Sequence, residues 1–589
     1  MLSPNTDLTL GREDQPVLVG QASAAGVKAY NDDFHGAVVP DGSARTLKGL
    51  AFAIADGISS SQYGAVAAQT AIRSLLTDYY ATPDAWTVKT SVSRVLGATN
   101  NWLNAQSSFK GVYDPDHGYV CTLATLIIKG QTAHLFNIGD SRIWRLSGDS
   151  LEPLTSDHQV TLGDGQVVLS RALGVEDSVE IDYRKERLAN GDVFLLTTDG
   201  LHGFWNEKAV AARLASLTEN DDLDALAEEI LDEALANGSD DNLTLQIVRI
   251  NHLQGLDDVS FSGDIDLKPL ADRLAVGQVI DGITILREIH SNHRSEIFIG
   301  RLETGRTLCV KIPATEVLED KKALNRFMIE EWIARQIHNP HVLSAPDLGD
   351  RRSGLYVATD FVEGQTLRQW MHDNPERSFE DIRIILEQVV KGLRAFHRKE
   401  MLHQDLRPEN IMIGPDLHVT IIDFGAAYVA GVQEAGPVAQ DPEIEGTVQY
   451  TAPEYYTAEP VSWRSDQFSL GIIAYELFTG ALPYGTQVSQ LRKPSDRKRL
   501  KYRTANNAKR AIPDWIDDAL KRAVHPLPSG RFDALSEFVQ ALRTPSLHYL
   551  AREQKPLLDR TPVEVWRLAT GILALICLVQ GMLLFEQFQ

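Results

Sequence analysis

Short apolar runs with alternating character, each stopped by turn or charged residues, recur through the first part of the chain. They are LAFAIADG (50–57), TLATLIIKG (122–130), AHLFNIGD (133–140), DVFLLTTDG (192–200) and LTLQIVRI (243–250). Runs of this length predict strands, and the helical spacing of apolar positions in Ala65–Tyr79 and Asp222–Ala236 predicts helices between them. Many strands with few, grouped helices predict an α+β layered domain over 17–250 behind a loose, polar N-terminus, 1–16. The polar stretch His252–Asp266, with Gly255 and Gly263, predicts a linker within 251–277. The pattern then restarts. Strand-like segments at Thr284–Arg301 and Thr307–Ile312 precede a predicted helix at Lys321–Ile337, and a mostly helical pattern from Thr366 to Arg543 completes a unit over 278–545.

One further run has neither period. Leu568–Phe585 (LATGILALICLVQGMLLF) carries one amide, Gln580, and no charge. As a helix its 18 residues span about 27 Å, close to the hydrocarbon thickness of a bilayer. It predicts a transmembrane helix at 568–585 behind a juxtamembrane segment, 546–567; the alternative is a helix buried against the preceding domain. Arg552, Lys555, Arg560 and Arg567 precede the run and no basic residue follows it, which predicts a tail anchor with everything before it in the cytoplasm. No basic segment followed by an apolar core opens the chain, so no signal peptide is expected.

The 589 residues suit several domains, and 43% hydrophobic with 23% charged residues is the composition of a folded protein. A net charge of −23 argues against nucleic acid as a partner. Three cysteines, Cys121, Cys309 and Cys577, have no C-x-x-C spacing, so neither a disulfide framework nor a zinc site is predicted.

An aspartate beside glycine at the end of an apolar strand suits a hard cation: the strand fixes the carboxylate and the glycine offers its carbonyl. This occurs at Asp56-Gly57 and Asp199-Gly200, and Asp240-Asp241-Asn242 precedes the last strand. An Asp-Gly pair alone also makes an ordinary hairpin turn. Three strand-end aspartates without Cys or His ligands point to Mg²⁺ or Mn²⁺. In order and spacing these residues, with Gly139-Asp140-Ser141-Arg142 and Gly26-Val27-Lys28-Ala29-Tyr30-Asn31-Asp32-Asp33, resemble the metal-dependent type 2C protein phosphatases over about 17–250. The resemblance implies a β-sandwich flanked by helices and two, or with a looser site three, Mn²⁺ or Mg²⁺ ions. Asp56 would bridge two metals, Gly57 would lend its carbonyl, Asp199 and Asp241 would complete the pair, Asp33 would hold a metal-bound water and Asp140 would belong to the third position. A metal-activated water would attack a phosphoserine or phosphothreonine ester. Lys28 stands where the family has a phosphate-contacting arginine, keeping a point charge but losing the bidentate fork. His158 is either the general acid for the leaving alkoxide or a hydrogen-bonded structural residue.

The second half carries the parts that phosphoryl transfer from a nucleotide needs. Lys311 lies on a predicted strand and Glu330 on the helix that follows. His403-Gln404-Asp405-Leu406-Arg407-Pro408-Glu409-Asn410 is followed by Asp423-Phe424-Gly425, and Ala452-Pro453-Glu454, Asp466 and Arg531 lie beyond. In this order they resemble the eukaryotic-like serine/threonine protein kinases over about 278–545. The resemblance implies a bilobal fold, ATP with Mg²⁺, Lys311 on the phosphates and paired with Glu330, Asp405 orienting the substrate hydroxyl, Arg407 on the transferred phosphate, and Asn410 and Asp423 on the metal. Glu454 would have Arg531 as a buried partner.

Three positions depart from that pattern: the stretch Ile289–Phe298 has no glycine where a glycine-rich loop would cover the phosphates, Arg407 replaces a lysine, and Gln404 replaces an arginine. In the family that arginine receives a phosphate on the activation segment. Between Gly425 and Gly446 this chain has no Ser or Thr but carries Glu434, Asp441, Glu443 and Glu445. A kinase that needs no Ser/Thr phosphorylation there is expected.

Arg492, Lys493, Arg497, Lys498, Arg499, Lys501, Arg503, Lys509 and Arg510 form a basic stretch, either a solvated face or a dock for an anionic surface. The whole reads as an α+β multidomain protein resembling bacterial fusions of the two families. It would be a bifunctional phosphatase and kinase tethered at the cytoplasmic face of the inner membrane, acting on phosphoprotein and protein substrates with ATP. The alternative is a phosphatase governed by a nucleotide-binding pseudokinase.

Overall fold

The computed structural model describes residues 16–110, 117–161, 167–218, 221–253, 270, 274–291, 295–349, 352–434, 449–507, 511–553 and 563–587. The expected loose N-terminus, most of the linker, part of the glycine-free stretch and part of the juxtamembrane segment lie outside the described residues.

Two five-stranded antiparallel sheets stack in the first unit. One runs Val17–Ala24, Leu243–Ile250, Val193–Thr197, Arg142–Ser147, Ser150–Pro153; the other runs Asp182–Arg187, Thr132–Ile138, Leu123–Lys129, Leu50–Ala55, Phe34–Val38. The strand Leu50–Ala55 is apolar throughout because both of its faces are covered. Leu50, Phe52 and Ile54 point into the layer between the sheets, with Phe194, Leu196 and Val248 from the opposite sheet. Ala51, Ala53 and Ala55 point the other way, under the helices Gly64–Ala81 and Val88–Phe109. Small residues on that face let the helices approach, while each large side chain between the sheets contributes about 1.5–3 kcal/mol by leaving water. The other outer face is covered by Glu207–Ala215 and Leu223–Ala236. This is the expected helix-flanked β-sandwich.

The helix Val88–Phe109 is not among the elements predicted from the pattern. Its buried positions Val88, Val92, Val95, Leu96, Thr99 and Leu103 follow helical spacing, but Gly97 and many polar residues interrupt the apolar signal.

The second unit opens with an antiparallel sheet in the order Val279–Ile280, Ile283–Ser291, Ser295–Leu302, Thr307–Pro313, Val357–Asp360. The single strand-like segment Thr284–Arg301 is thus a hairpin, with register shifts between Ile285 and Arg287 and between Glu288 and His290. The helix Lys321–Gln336 follows. A larger, mainly helical lobe is built on Phe379–His397, Trp463–Thr479 and Asp514–Ala523. Short strands Met401–Leu402, Ile411–Ile413, Val419–Ile421 and Tyr428–Val429 interrupt the helical pattern expected there. At two or three residues each they are too short for a period to register.

The helix Val563–Gln587 contains the apolar window Trp566–Leu583, of mean hydropathy 1.7, and none of it is buried. The reading of this run as a helix packed on the preceding domain is therefore not what the fold shows. Leu568 and Leu573 are 67% and 65% exposed, which leaves an apolar cylinder long enough to cross a bilayer.

Candidate active centres

In the first unit the strand ends converge on a cluster of acids. Carboxylate oxygens of Asp56, Asp140 and Asp199 all lie within 4.8 Å of one another. Asp56 ends its strand against Gly57, and a Cβ at Gly57 would stand 2.3 Å from the backbone of Gly64. At Gly200 a Cβ would stand 2.1 Å from the Asn242 carbonyl oxygen. Glycine therefore follows both aspartates because neighbouring backbone approaches closely, beyond any role of its carbonyl. Asp33 lies underneath; one of its oxygens accepts from Thr198 Oγ1 at 2.9 Å and Thr244 Oγ1 at 2.7 Å. Its other oxygen is buried and has no hydrogen-bond partner among the described residues.

Crowding like charges in a half-buried site raises their proton affinity. Burial pushes Asp33 up to about 7, with Asp199 adding to the effect against its two threonine hydroxyls. Burial, with Asp140 and Asp241, pushes Asp199 up to about 6. Asp56 is raised well above the carboxylate range by burial and by Asp33, Asp199, Asp140 and Asp241 together. An all-oxygen donor set, an orphaned Asp33 oxygen and this uncompensated charge fit divalent cations.

Lys28 reaches the same centre, where its Nζ pairs with Asp241 and donates to Ser59 Oγ at 2.6 Å. Asn242 Nδ2 donates to the carbonyls of Ala25 and Tyr30, at 3.0 and 2.9 Å, and so holds the Lys28 loop. His158 has both ring nitrogens engaged, Nδ1 with the Gly139 amide and Nε2 with Asp182, each at 3.0 Å. That is the structural alternative of the two readings of this histidine. Thr198 and Thr244 escape the sequence reading; the only signal was a hydroxyl residue beside each acidic motif.

In the second unit Lys311 Nζ lies 2.7 Å from Glu330 Oε2. Burial alone would depress the Lys311 ammonium, but Glu330 and Asp423 outweigh it and raise it. Asn410 Nδ2 donates to the Asp405 carbonyl and carboxylate, at 2.8 and 3.0 Å. Arg407 Nε lies 3.7 Å from Asp405 Oδ2. Burial lifts Asp405 above its ordinary value against the charges of Arg407 and His403, the direction that suits a proton acceptor. Gln404 and Asp423 both take left-handed backbone, each with φ 64°. Such positions cost about 1–3 kcal/mol each and persist only where their surroundings hold them. Asp466 does this for the loop, accepting from the amides of His403 and Gln404, both at 3.0 Å, and from His397 Nε2 at 2.8 Å. Phe424, fully buried, packs edge-on to Phe396 and His403 with centroids 5.1 and 6.0 Å away. Arg531 forms two 2.8 Å bonds to the two Glu454 oxygens, both side chains buried.

In the basic stretch, Arg497 is buried and paired with Glu459, and Arg492 donates to the carbonyls of Ser489 and Leu491. Part of that stretch therefore serves the lobe's own structure, whereas Arg499 is 82% exposed; Lys509 and Arg510 lie outside the described residues.

Comparison with known proteins bears on both units. Residues 21–244 match the family model of protein phosphatase 2C and residues 287–543 that of the protein kinase domain. Among curated proteins, the probable serine/threonine-protein kinase PknB of Bifidobacterium longum is 34% identical over 189 residues, 31% of this chain and 27% of its own length. The serine/threonine-protein kinase PrkC of Bacillus subtilis is 23% identical over 273 residues, 46% of this chain and 42% of its own length. The chain thus spans less than half the length of these curated relatives. Among solved structures, the Mycobacterium tuberculosis serine/threonine phosphatase PstP/Ppp is 22% identical, with 40% of this chain and 99% of that chain covered and a TM-score of 0.34. With the acid cluster in the first match and the Lys311–Glu330 pair in the second, the chain is a fusion of a protein phosphatase 2C domain to a protein kinase domain.

Proposed function

We propose that the chain is a bifunctional protein serine/threonine phosphatase and kinase, with a phosphatase domain over 17–250 and a kinase domain over 278–545. The observation that carries this reading is the simultaneous assembly of both centres: three clustered aspartates in one, and the aligned Lys311–Glu330 and Asp405–Asn410 pairs in the other. In the phosphatase, Asp56, the Gly57 carbonyl, Asp199 and Asp241 would hold two Mn²⁺ or Mg²⁺ ions, Asp140 a third, and Asp33 a water. Cations bound there supply Lewis-acid activation of water for attack on a phosphate ester. Lys28, already in the centre, offers the positive charge that orients the substrate phosphate.

In the kinase, Lys311 binds the ATP phosphates and Glu330 fixes its position. Asn410 and Asp423 would hold Mg²⁺. Asp405 accepts a hydrogen bond from the substrate hydroxyl and takes its proton as the phosphoryl group transfers, and Arg407 offsets the charge on that group. The C-terminal helix would tether both domains to the cytoplasmic face of the inner membrane, where one anchor raises the effective concentration of both centres over the same substrates. Substrates are phosphoproteins and proteins, with ATP.

The test is transfer of labelled γ-phosphate in the full chain carrying Asp56→Asn and Asp199→Asn, so that the phosphatase cannot erase the product. Transfer is expected, and Asp405→Asn added to that background lowers it by about 10²–10⁴-fold. Absence of label in the parent, with ATP still bound, would replace the kinase reading by a nucleotide-binding regulatory domain.

A further inference from the structure

The two domains meet at one place in the kinase that matters for its control. The activation segment begins after Gly425, forms the strand Tyr428–Val429 against Met401–Leu402, and turns through Ala430–Gln433. That turn is seated on the phosphatase. The Gly431 amide donates to the Ala85 carbonyl at 2.9 Å, and the Gly431 carbonyl accepts from Lys129 Nζ at 2.5 Å. A Cβ at Gly431 would stand 2.5 Å from the Asp84 carbonyl oxygen and 2.6 Å from that of Trp86. Ala85 is 1% exposed and joins the core cluster of the kinase's large lobe.

Two kinase carboxylates finish the contact at the N-terminus of the phosphatase helix Val88–Phe109. Glu434 accepts from the Val88 amide at 2.8 Å and lies 3.3 Å from Lys185 Nζ. Glu400, just before the catalytic loop, accepts from the Thr87 amide at 2.7 Å and from Thr90 Oγ1 at 2.6 Å, while its own carbonyl receives the Ala430 amide at 3.1 Å. Trp86 Nε1 donates to the Arg398 carbonyl at 3.1 Å. Charge-assisted bonds to helix N-terminal amides are among the stronger polar contacts. The loop that makes them is itself fixed by the buried Lys48, which donates to Thr82 Oγ1 and the Pro83 carbonyl at 2.7 and 2.9 Å. Lys129, 1% exposed at the end of its strand, also lies 4.0 Å from Glu434 Oε2.

Set beside the sequence, the contact acquires a role. Gln404 replaces the arginine that would receive an activation-segment phosphate, and the stretch from Gly425 to Gly446 offers no Ser or Thr to carry one. The far end of the segment is anchored inside the lobe by Glu454 and Arg531. We infer that the phosphatase domain is the clamp that orders the near end of the kinase's activation segment, its 82–90 segment gripping Glu400, Gly431 and Glu434 in place of a phosphate–arginine pair. Phosphoryl transfer then depends on the docked state, and undocking is the route by which a signal would switch the kinase off. Glu400 and Glu434 are positioning residues in this account.

The inference rests on the kinase being active, so the test carries a readout that does not. In the full chain with Asp56→Asn, Glu400→Ala and Glu434→Ala together should speed hydrogen exchange of the amides at 428–434. They should lower γ-phosphate transfer by about five- to 150-fold, the range of a typical coupling between sites, with ATP affinity unchanged. Ala85→Arg approaches the contact from the other side, and in a chain with Asp56 intact its hydrolysis of p-nitrophenyl phosphate shows that the phosphatase domain is folded. Unchanged exchange at 428–434 in both variants would overturn the clamp. Faster exchange with transfer unchanged or increased would also overturn it. A parent that transfers no phosphate would defeat the kinase reading, leaving the exchange measurement to decide whether the phosphatase orders the segment.

Discussion

The two centres handle buried charge in opposite ways. In the phosphatase, Asp56, Asp140 and Asp199 cluster above Asp33, burial and neighbouring carboxylates raise the proton affinity of Asp33, Asp56 and Asp199, and the Lys28 ammonium pairs with Asp241. In the kinase, each buried acid has a partner from the chain itself: Glu330 has Lys311, Asp466 has two amides and His397, and Glu454 has Arg531. The phosphatase centre is built to be completed from solution by cations. The kinase centre is preorganised by protein groups, and that preorganisation extends into the phosphatase domain through Glu400 and Glu434. A metal site keeps charge unsatisfied so that it can bind, whereas a transfer site spends its charge on holding a geometry.

The contrast is broken most severely at Glu454. Glu454→Ala leaves the Arg531 guanidinium buried without its carboxylate and should destabilise the kinase domain by about 3–5 kcal/mol, read from its denaturant midpoint. Replacing both residues by methionine should recover most of that loss, because the cost lies in the stranded charge. In the phosphatase the sign reverses: a carboxylate can be removed with little harm, and the stabilising partner must be added. Mn²⁺ at a hundredfold excess over its Kd should stabilise that domain by about 2.7 kcal/mol, and Asp56→Asn should abolish the shift, as measured by thermal melting with and without the ion.

The smallest effect is on pH dependence. His134 is buried in the sheet with its Nδ1 3.0 Å from the Tyr183 hydroxyl, and burial, aided by Lys185 and Lys129, pushes it down to about 3. The unfolded chain takes up a proton at the ordinary histidine value and the folded one refuses it, so this residue's contribution to stability falls as pH drops from about 6.5 towards 3. Asp33 and Asp199 act with the opposite sign in the absence of metal, since their folded values are raised. The share of His134 is therefore the difference between the parent and His134→Gln, the variant showing the weaker loss of stability on acidification.

Much of both sites was legible because their chemistry is local. Asp56-Gly57, Asp199-Gly200 and the His403–Asn410 stretch each place a functional group, its backbone support and its neighbour within a few residues. The helices Gly64–Ala81, Leu223–Ala236 and Lys321–Gln336 were legible within two residues because one apolar stripe dominates each. What escaped was contributed from a distance. Thr198 and Thr244 become partners of Asp33 only when strands far apart in sequence pair. His158 is one histidine in a polar stretch until Gly139 and Asp182 occupy its two nitrogens.

By itself the sequence determined which groups stand at each strand end and loop, and therefore that the motifs of a protein phosphatase 2C domain and of a protein kinase domain share one chain. It also determined the apolar length of the final helix, since that depends only on composition and rise per residue. The tertiary structure decided which charges would be left to find cations and which would be paired. It also decided that Glu434, one acid among several in the activation segment, would end on the Val88 amide. Those outcomes depend on which surfaces meet, and a contact between residues 346 positions apart is fixed by the packing of whole domains, which no local pattern encodes.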